Sequence, residues 1–365
     1  MIPRLTIASS RVPKGSEADM DAAIEAARAN QRRIREVAAI ERIEIFREAA
    51  DLMSEKQEDF IQTLMLEAGK PRKDAAGEVK ATIERMRMTM EEARKIFGEY
   101  IPGDWSEDTM GKIALVIREP VGVVGAIGPF NYPLFIPAAK IIPALLAGNS
   151  VVVKPASEDP LSQLLFARVL EKAGIPPGCI NVVTGTGRIA IRLATSEKVG
   201  MISFTGSTEA GRELSRLATI KQLHLELGGK MNGCYFEPTL LDHVPLDARI
   251  AWEETFGPVI TIIRINSEDE AIEISSKSRY GLDSCVFTNN FYRMWKIAKR
   301  LQVGEVTIND LPRHGVGCFP FGGVKDSGIG REGIGYSIDE MTILKTIVFN
   351  LEPAGLGKIK KTPKM

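Results

Sequence analysis

Between Pro120 and Gly206, short β-branched runs alternate with stretches whose apolar residues recur at helical spacing, and this alternation constrains the fold more than any other feature. The runs VGVVGAIG, NSVVVKP, INVVTG and GMISFTG predict strands, and the segments between them predict helices. Strands joined through helices must pair in parallel, which implies an α/β, doubly wound sheet with helices on both faces. Ahead of the sheet, Glu17 to about Phe97 is rich in good helix formers and predicts an all-helical N-terminal segment. The turn-like YIPGDW then leads into KIALVIREP, a predicted strand. After Lys230 the character changes to VITIIRI, SCVFT and EVTIND, read as strands with one helix between them. The apolar run TILKTIVFN precedes a tail expected to be loose.

With 365 residues, 44% of them hydrophobic, the chain is long enough for a sizeable core and two domains. Its 47 Lys and Arg match 47 Asp and Glu, so no positive excess exists to hold nucleic acid or an anionic membrane. Cys179, Cys234, Cys285 and Cys318 are widely spaced and, with the three histidines, match no zinc pattern, so no metal is expected. A reduced, cytoplasmic setting fits them. The absence of any run of about 18 apolar residues predicts neither a membrane span nor a secretion signal.

Two segments have the look of phosphate loops. Gly185, Gly187 and Ala190 form G-x-G-x-x-A after INVVT. That fingerprint also requires an acid at the end of the next strand, which here ends in Phe204-Thr205-Gly206, so a simple tight turn competes with it. In FTGSTEAGREL a strand runs into Gly206-Ser207-Thr208 and a helix starts, where free N–H groups and the helix dipole suit a pyrophosphate. The alternative for Ser207 is an ordinary helix N-cap.

PFNYP places Asn131 in a Pro-bounded turn, VVVKPAS places Lys154 just past a strand, and HLELGGK sets Glu226 before two glycines. Together with EETFGPV (253 to 259), VTIND (306 to 310) and PFGGVKDSGIGREG (320 to 333), these ordered blocks resemble the aldehyde dehydrogenase superfamily. The resemblance is nearest to archaeal-type non-phosphorylating glyceraldehyde-3-phosphate and lactaldehyde dehydrogenases. It implies a Rossmann-type cofactor domain over residues 1 to 230, with 110 to 119 as an oligomerisation strand. A truncated α/β catalytic domain over 231 to 340 and a C-terminal oligomerisation strand and tail over 341 to 365 complete it.

The same resemblance implies that Lys154 holds the adenine-ribose hydroxyls and that Gly206 and Ser207 hold the pyrophosphate. Glu254 and Phe256 would position the nicotinamide ribose, Asn131 would donate to the oxyanion, and Glu226 would be the general base. Read singly, Lys154 is better explained as a surface lysine and Glu226 as a helix-cap or salt-bridge carboxylate. Family members that prefer NAD often carry a carboxylate three residues after the lysine; here Ser157 stands there, which favours NADP over NAD. In NDLPRHGVGCFPFGG, Arg313 and His314, with Phe319, would line the substrate tunnel, and an arginine there suits a phosphate; a surface arginine is the alternative. Arg85 and Arg87 are candidates for a second charge.

One part of the family pattern is missing. Glu226-Leu-Gly-Gly-Lys230 joins directly to Met231-Asn-Gly-Cys-Tyr-Phe-Glu-Pro-Thr239, without the long stretch that carries the nucleophilic cysteine. Aldehyde oxidation in the family runs by thiolate attack, hydride transfer to nicotinamide and hydrolysis of a thioester. Loss of a covalent nucleophile costs on the order of a million-fold in rate, or about 8 kcal/mol. The parent reaction implied is oxidation of a small, possibly phosphorylated aldehyde; the chain itself is expected to bind cofactor and lack the nucleophile. Two alternatives are a regulatory or structural subunit pairing with full-length homologues, and an active enzyme that uses Cys234. Residues 231 to 340 are expected to pack poorly. A homo-oligomer, dimer or tetramer, is expected through KIALVIREP and TILKTIVFN.

Overall fold

The computed structural model describes residues 11–228, 237–312 and 317–351. Four helices lead: α1 (Glu17–Glu36), α2 (Ala39–Glu55), α3 (Gln57–Glu67) and α4 (Arg72–Ala93). The first begins at a reciprocal cap, in which Ser16 Oγ accepts from Asp19 N and Asp19 Oδ2 accepts from Ser16 N. Strands β1 (Glu99–Pro102) and β2 (Lys112–Pro120) follow and pair antiparallel.

The large sheet starts with β3 (Val123–Ile127). It continues through α5 (Phe135–Leu146), β4 (Ser150–Lys154), α6 (Leu161–Ala173) and β5 (Ile180–Val182). The chain then crosses by α7 (Gly187–Thr195) to β6 (Met201–Gly206), and by α8 (Thr208–Leu217) to β7 (Gln222–Leu227). These strands are all parallel, and the order β7-β6-β3-β4-β5 reverses direction at β3. Open parallel sheets bind ligands beyond the carboxyl ends of the strands at such a reversal, so the crevice between β3 and β6 is where a ligand is expected.

Alternate strand residues feed two cores, as the doubly wound reading requires. Val124, Ala126, Val151 and Val153 pack with α2 to α6, whereas Val123, Ile127, Val152, Ile202 and Phe204 pack with α1, α7 and α8. The leading helices are thus split, with α1 on one face and α2 to α4 on the other.

Beyond the sheet lie β8 (Thr239–Leu241), β9 (Val259–Thr261), α9 (Glu268–Lys277), β10 (Asp283–Val286), α10 (Phe291–Arg300) and β11 (Glu305–Ile308). They form two separate two-stranded parallel sheets, β8 with β9 and β10 with β11. Two helices stand among these strands where one was expected; FYRMWKIAKR, α10, is strongly amphipathic but buries none of its residues, so its apolar face has no core to mark it. Over 237–312, Val244 and Ile272 are the buried apolar side chains among the described residues.

The chain returns to the large sheet before residue 340. Strand β12 (Gly328–Ile329) pairs antiparallel with β7, and α11 (Ile334–Glu340) sends Ile338 into the core beside α4 and α5. Finally β13 (Thr342–Asn350) pairs antiparallel with β2, giving a three-stranded sheet ordered β1-β2-β13. No helix among the described residues is long and apolar enough to cross a membrane.

Candidate active site and cofactor crevice

Lys154 closes β4, in register with Ile127, which is itself in register with Phe204 of β6. The lysine therefore stands at the carboxyl edge beside the sheet reversal. Burial holds its ammonium below the ordinary lysine range, and Glu158 and Asp159 pull it back up. Gly206 ends β6; a Cβ there would come within 2.6 Å of the Phe204 ring, so the glycine permits the close strand-to-helix turn. Ser207 is the N-cap of α8, its Oγ accepting from Ala210 N at 3.2 Å. Its side chain thus serves the helix.

Flanking that turn, the Thr205 and Thr208 hydroxyl oxygens are buried without a hydrogen-bond partner. Buried polar atoms ordinarily find partners, so these two mark a place where a polar ligand fits. With the α8 amino end and the Lys154 ammonium, they form a donor set suited to a dinucleotide. Ser157 is differently engaged than its sequence context implies. Its hydroxyl donates to Gly185 O at 3.0 Å, so its one proton does not face a phosphate. Gly185 itself, at φ +153°, packs on Gly15, whose N–H donates to Thr184 O at 2.8 Å. The G-x-G-x-x-A segment is thus held by a packed turn.

The segments on either side of the undescribed residues 229–236 meet at the end of β7. A Cβ on Gly228, whose φ is +154°, would lie 2.7 Å from Glu254 Oε2, which puts that carboxylate against the strand end two residues beyond Glu226. Phe256 meets Phe130 edge to face, with ring centroids 5.6 Å apart. That contact ties EETFGPV to the PFNYP turn, where Asn131 Oδ1 accepts from Tyr132 N at 3.1 Å. Asn131, Glu254 and Phe256, on loops, are in this way brought to the carboxyl ends of β6 and β7, where Gly206 and Glu226 stand.

Glu226 is buried, and its carboxyl is pushed up to about 8, first by burial and then by Glu332. Around it stand residues that the motif reading missed. Lys140 Nζ of α5 lies 3.7 Å and Arg85 of α4 lies 3.3 Å from the Glu332 carboxylate. His224 Nε2 lies 3.5 Å from Glu226 Oε1. The signals existed: Lys140 is the one charged residue in the apolar FIPAAKIIPALL, and His224 shares a strand face with Glu226 through the two-residue repeat.

Arg313 and His314 lie outside the described residues, as does Cys234. Phe319 is 73% exposed. Arg85 is wholly buried on Glu332, and Arg87 pairs with Asp51 of α2, so neither is a free surface charge. Cys179 is buried, and Cys318 is exposed with its Sγ 3.9 Å from Met88 Sδ. No group of side chains able to hold a metal ion occurs among the described residues.

The chain is similar to the NADP-dependent glyceraldehyde-3-phosphate dehydrogenase of Streptococcus equinus, 34% identical over 441 residues with 93% of each covered. A lactaldehyde dehydrogenase of Methanocaldococcus jannaschii is 30% identical over 445 residues, covering 93% of this chain and 94% of the relative. Among solved structures, the NADP-dependent glyceraldehyde-3-phosphate dehydrogenase of Bacillus halodurans C-125, complexed with NADP, superposes with a TM-score of 0.90 at 34% identity and 93% of each chain covered. The model of the aldehyde dehydrogenase family matches in two stretches, residues 3–232 and 230–347, and the chain therefore belongs to the aldehyde dehydrogenase family.

Proposed function

We propose that this chain binds a nicotinamide dinucleotide, NADP in preference to NAD, in the crevice between β3 and β6, and that it lacks the nucleophile needed to oxidise an aldehyde. The observation that carries the first half is the pair of buried, unpartnered Thr205 and Thr208 hydroxyls around Gly206 and Ser207, beside the α8 amino end. Lys154 would donate to the adenine-ribose hydroxyls, and the α8 N–H groups would take the pyrophosphate. Glu254 and Phe256 would stand beside the nicotinamide ribose. Bound there, the nicotinamide would supply the hydride acceptor of the parent reaction. The lack of a carboxylate at 157 favours NADP by omitting a charge that would repel the 2′-phosphate; Ser157 contributes by that omission, since its proton is already given to Gly185. The Bacillus halodurans relative, solved with NADP, supports the same choice.

Two facts support the second half. The family model's two matches meet at residues 230–232, and the alignments with relatives run over 441 and 445 positions, more than the 365 residues of this chain. Both facts are what a segment next to ELGGK, carried by the relatives and lacking here, would produce, and the family's cysteine would lie in that segment. Asn131 and Glu226 remain to donate to an oxyanion and to take a proton from water, but neither attacks a carbonyl. The parent substrate class is a small aldehyde, with glyceraldehyde 3-phosphate and lactaldehyde the first candidates.

Calorimetric titration with NADP and NAD, followed by a reduction assay with both aldehydes, tests the proposal. Saturable NADP binding without nicotinamide reduction is expected. Turnover that disappears in Cys234→Ser would overturn the second half, and absence of any nucleotide binding by folded protein would overturn the first.

A further inference from the structure

His224 and Glu226 point to the same side of β7, into a buried space closed by α4, α5 and the segment 328–340. Among the described residues, the charged groups around that space are Arg85 from α4, Lys140 from α5, Arg331 and Glu332 beyond β12, and Glu340 from the end of α11. His224 lies between the last of these and Glu226. Its Nδ1 is 2.7 Å from Glu340 Oε2, and its Nε2 is 3.5 Å from Glu226 Oε1 and 3.9 Å from Glu332 Oε2. Glu340 is fixed by a second bond, since its Oε1 accepts from Arg331 N at 2.7 Å. Two glycines allow this approach. A Cβ on Gly330, whose φ is +90°, would sit 2.9 Å from His224 Nδ1 and 2.7 Å from Glu340 Oε1, and one on Gly322 would sit 3.0 Å from Glu226 Oε1.

The side chain of Glu340 is 30% exposed, whereas those of His224 and Glu226 are 4% and 7% exposed. The three thus run from water to a buried carboxyl, through a ring that both accepts and donates. A carboxylate against Nδ1 selects the tautomer with the proton on Nδ1 and turns the Nε2 lone pair toward Glu226. Lone pair against carboxylate is repulsive, so the contact is stable when Glu226 holds the proton, in agreement with its burial. Among the described residues, neither Nε2 nor either Glu226 oxygen has a hydrogen-bond partner.

We propose that His224 is a positioning residue through which buried Glu226 exchanges its proton with solvent by way of Glu340. Glu226 gives its proton to Nε2; the resulting imidazolium, held between carboxylates, releases the Nδ1 proton to Glu340, which passes it to water. One proton leaves Glu226, one enters solvent, and the ring is neutral again as the other tautomer, which resets when Nδ1 regains a proton from Glu340 and Nε2 gives its own back. The proton path stands on geometry alone; its value to catalysis rests on the assignment of Glu226 as the base.

The test is a pH titration of the imidazole nitrogens by 15N NMR on the whole chain, which has three histidines to assign. For the native chain we expect His224 to carry its proton on Nδ1 at neutral pH, with ring-nitrogen shifts that change in Glu226→Gln. Glu340→Gln, a weaker acceptor, should move the tautomer ratio toward Nε2–H by about tenfold. A native ring protonated on Nε2, or ring-nitrogen shifts identical with and without the Glu226→Gln change, overturns the proposal even if no variant folds well, because the native tautomer alone decides the first point. NADP titration of the same samples keeps the two questions apart: failure to bind nucleotide with a coupled ring sinks the cofactor reading only.

Discussion

Two buried acids govern how this chain should respond to alkali. Asp159, after β4, is pushed up to about 8 by burial, with Glu67, Glu158 and Glu78 adding repulsion. Glu226 is raised in the same direction. A carboxyl raised on folding is protonated in the native state and ionised in the unfolded chain over the interval between the two values. Its contribution is therefore complete below about pH 4 and is lost as pH climbs toward 8. Asp159→Asn keeps the shape and removes the charge, so its stability should equal that of the native chain near pH 4 and exceed it at pH 9 by on the order of 1–3 kcal/mol. Urea unfolding at both pH values measures this, and equal stability at pH 9 would sink it. In the crevice, Lys154→Ala should weaken NADP binding about tenfold to a hundredfold, the worth of one charge-assisted hydrogen bond, without altering the fold. An unchanged titration would remove Lys154 from the site.

At the scale of elements, the long apolar strands announced themselves, whereas β1, which overlaps the YIPGDW read as a turn, and most helix caps did not. KIALVIREP and TILKTIVFN were legible as strands, because runs rich in Ile, Val and Thr that follow turn-like segments leave few alternatives. The start of α8 after Gly206 was equally legible, since the cap at Ser207 is local. Helices α5 and α6 carry no cap hydrogen bond from their own N-cap residues. Glu78 of α4 accepts from Leu134 N and Phe135 N, both at 3.0 Å, and Glu67 of α3 accepts from Leu161 N at 2.7 Å and Ser162 N at 2.8 Å. These partners are 56 and 94 residues away from the N–H groups they serve, beyond any local pattern. The same distance hid Glu340, and it hid the role of Glu332, which lies in the block PFGGVKDSGIGREG, whereas Asn131, Lys154 and Glu226 were assigned roles through the compact blocks they sit in. Glu67→Ala strands two N–H groups at the start of α6, and thermal unfolding should report a loss of about 2–4 kcal/mol. A change below about 0.5 kcal/mol would show that water replaces the carboxylate.

For the whole molecule, apolar surface is unevenly covered. Strand β13, an edge strand of the three-stranded sheet among the described residues, exposes Ile343, Leu344, Ile347, Val348 and Phe349 on both faces. Such an edge is a template for pairing, so we expect a homo-oligomer in which it is covered, and Leu344→Lys with Val348→Lys should return the chain to monomer by sedimentation. The second exposed region has a different cause. Over 237–312, Phe287, Phe291, Tyr292, Trp295 and Leu311 are exposed, on elements that form two-stranded sheets with few buried side chains. Two-stranded sheets are marginal by themselves, and each large apolar side chain left in water forgoes about 1.5–3 kcal/mol. Against a net stability of about 5–15 kcal/mol, that deficit makes this region open well before the large sheet does. Limited proteolysis should therefore cut first between residues 237 and 312 and leave a resistant core that includes the β3 to β7 sheet. Adding NADP should protect the sheet's fragment far more than the rest, since its proposed contacts lie mainly on β4, β6 and α8. Uniform cleavage across both regions, or protection by nucleotide confined to 237–312, would show that the weakly packed part is held by something other than its own core.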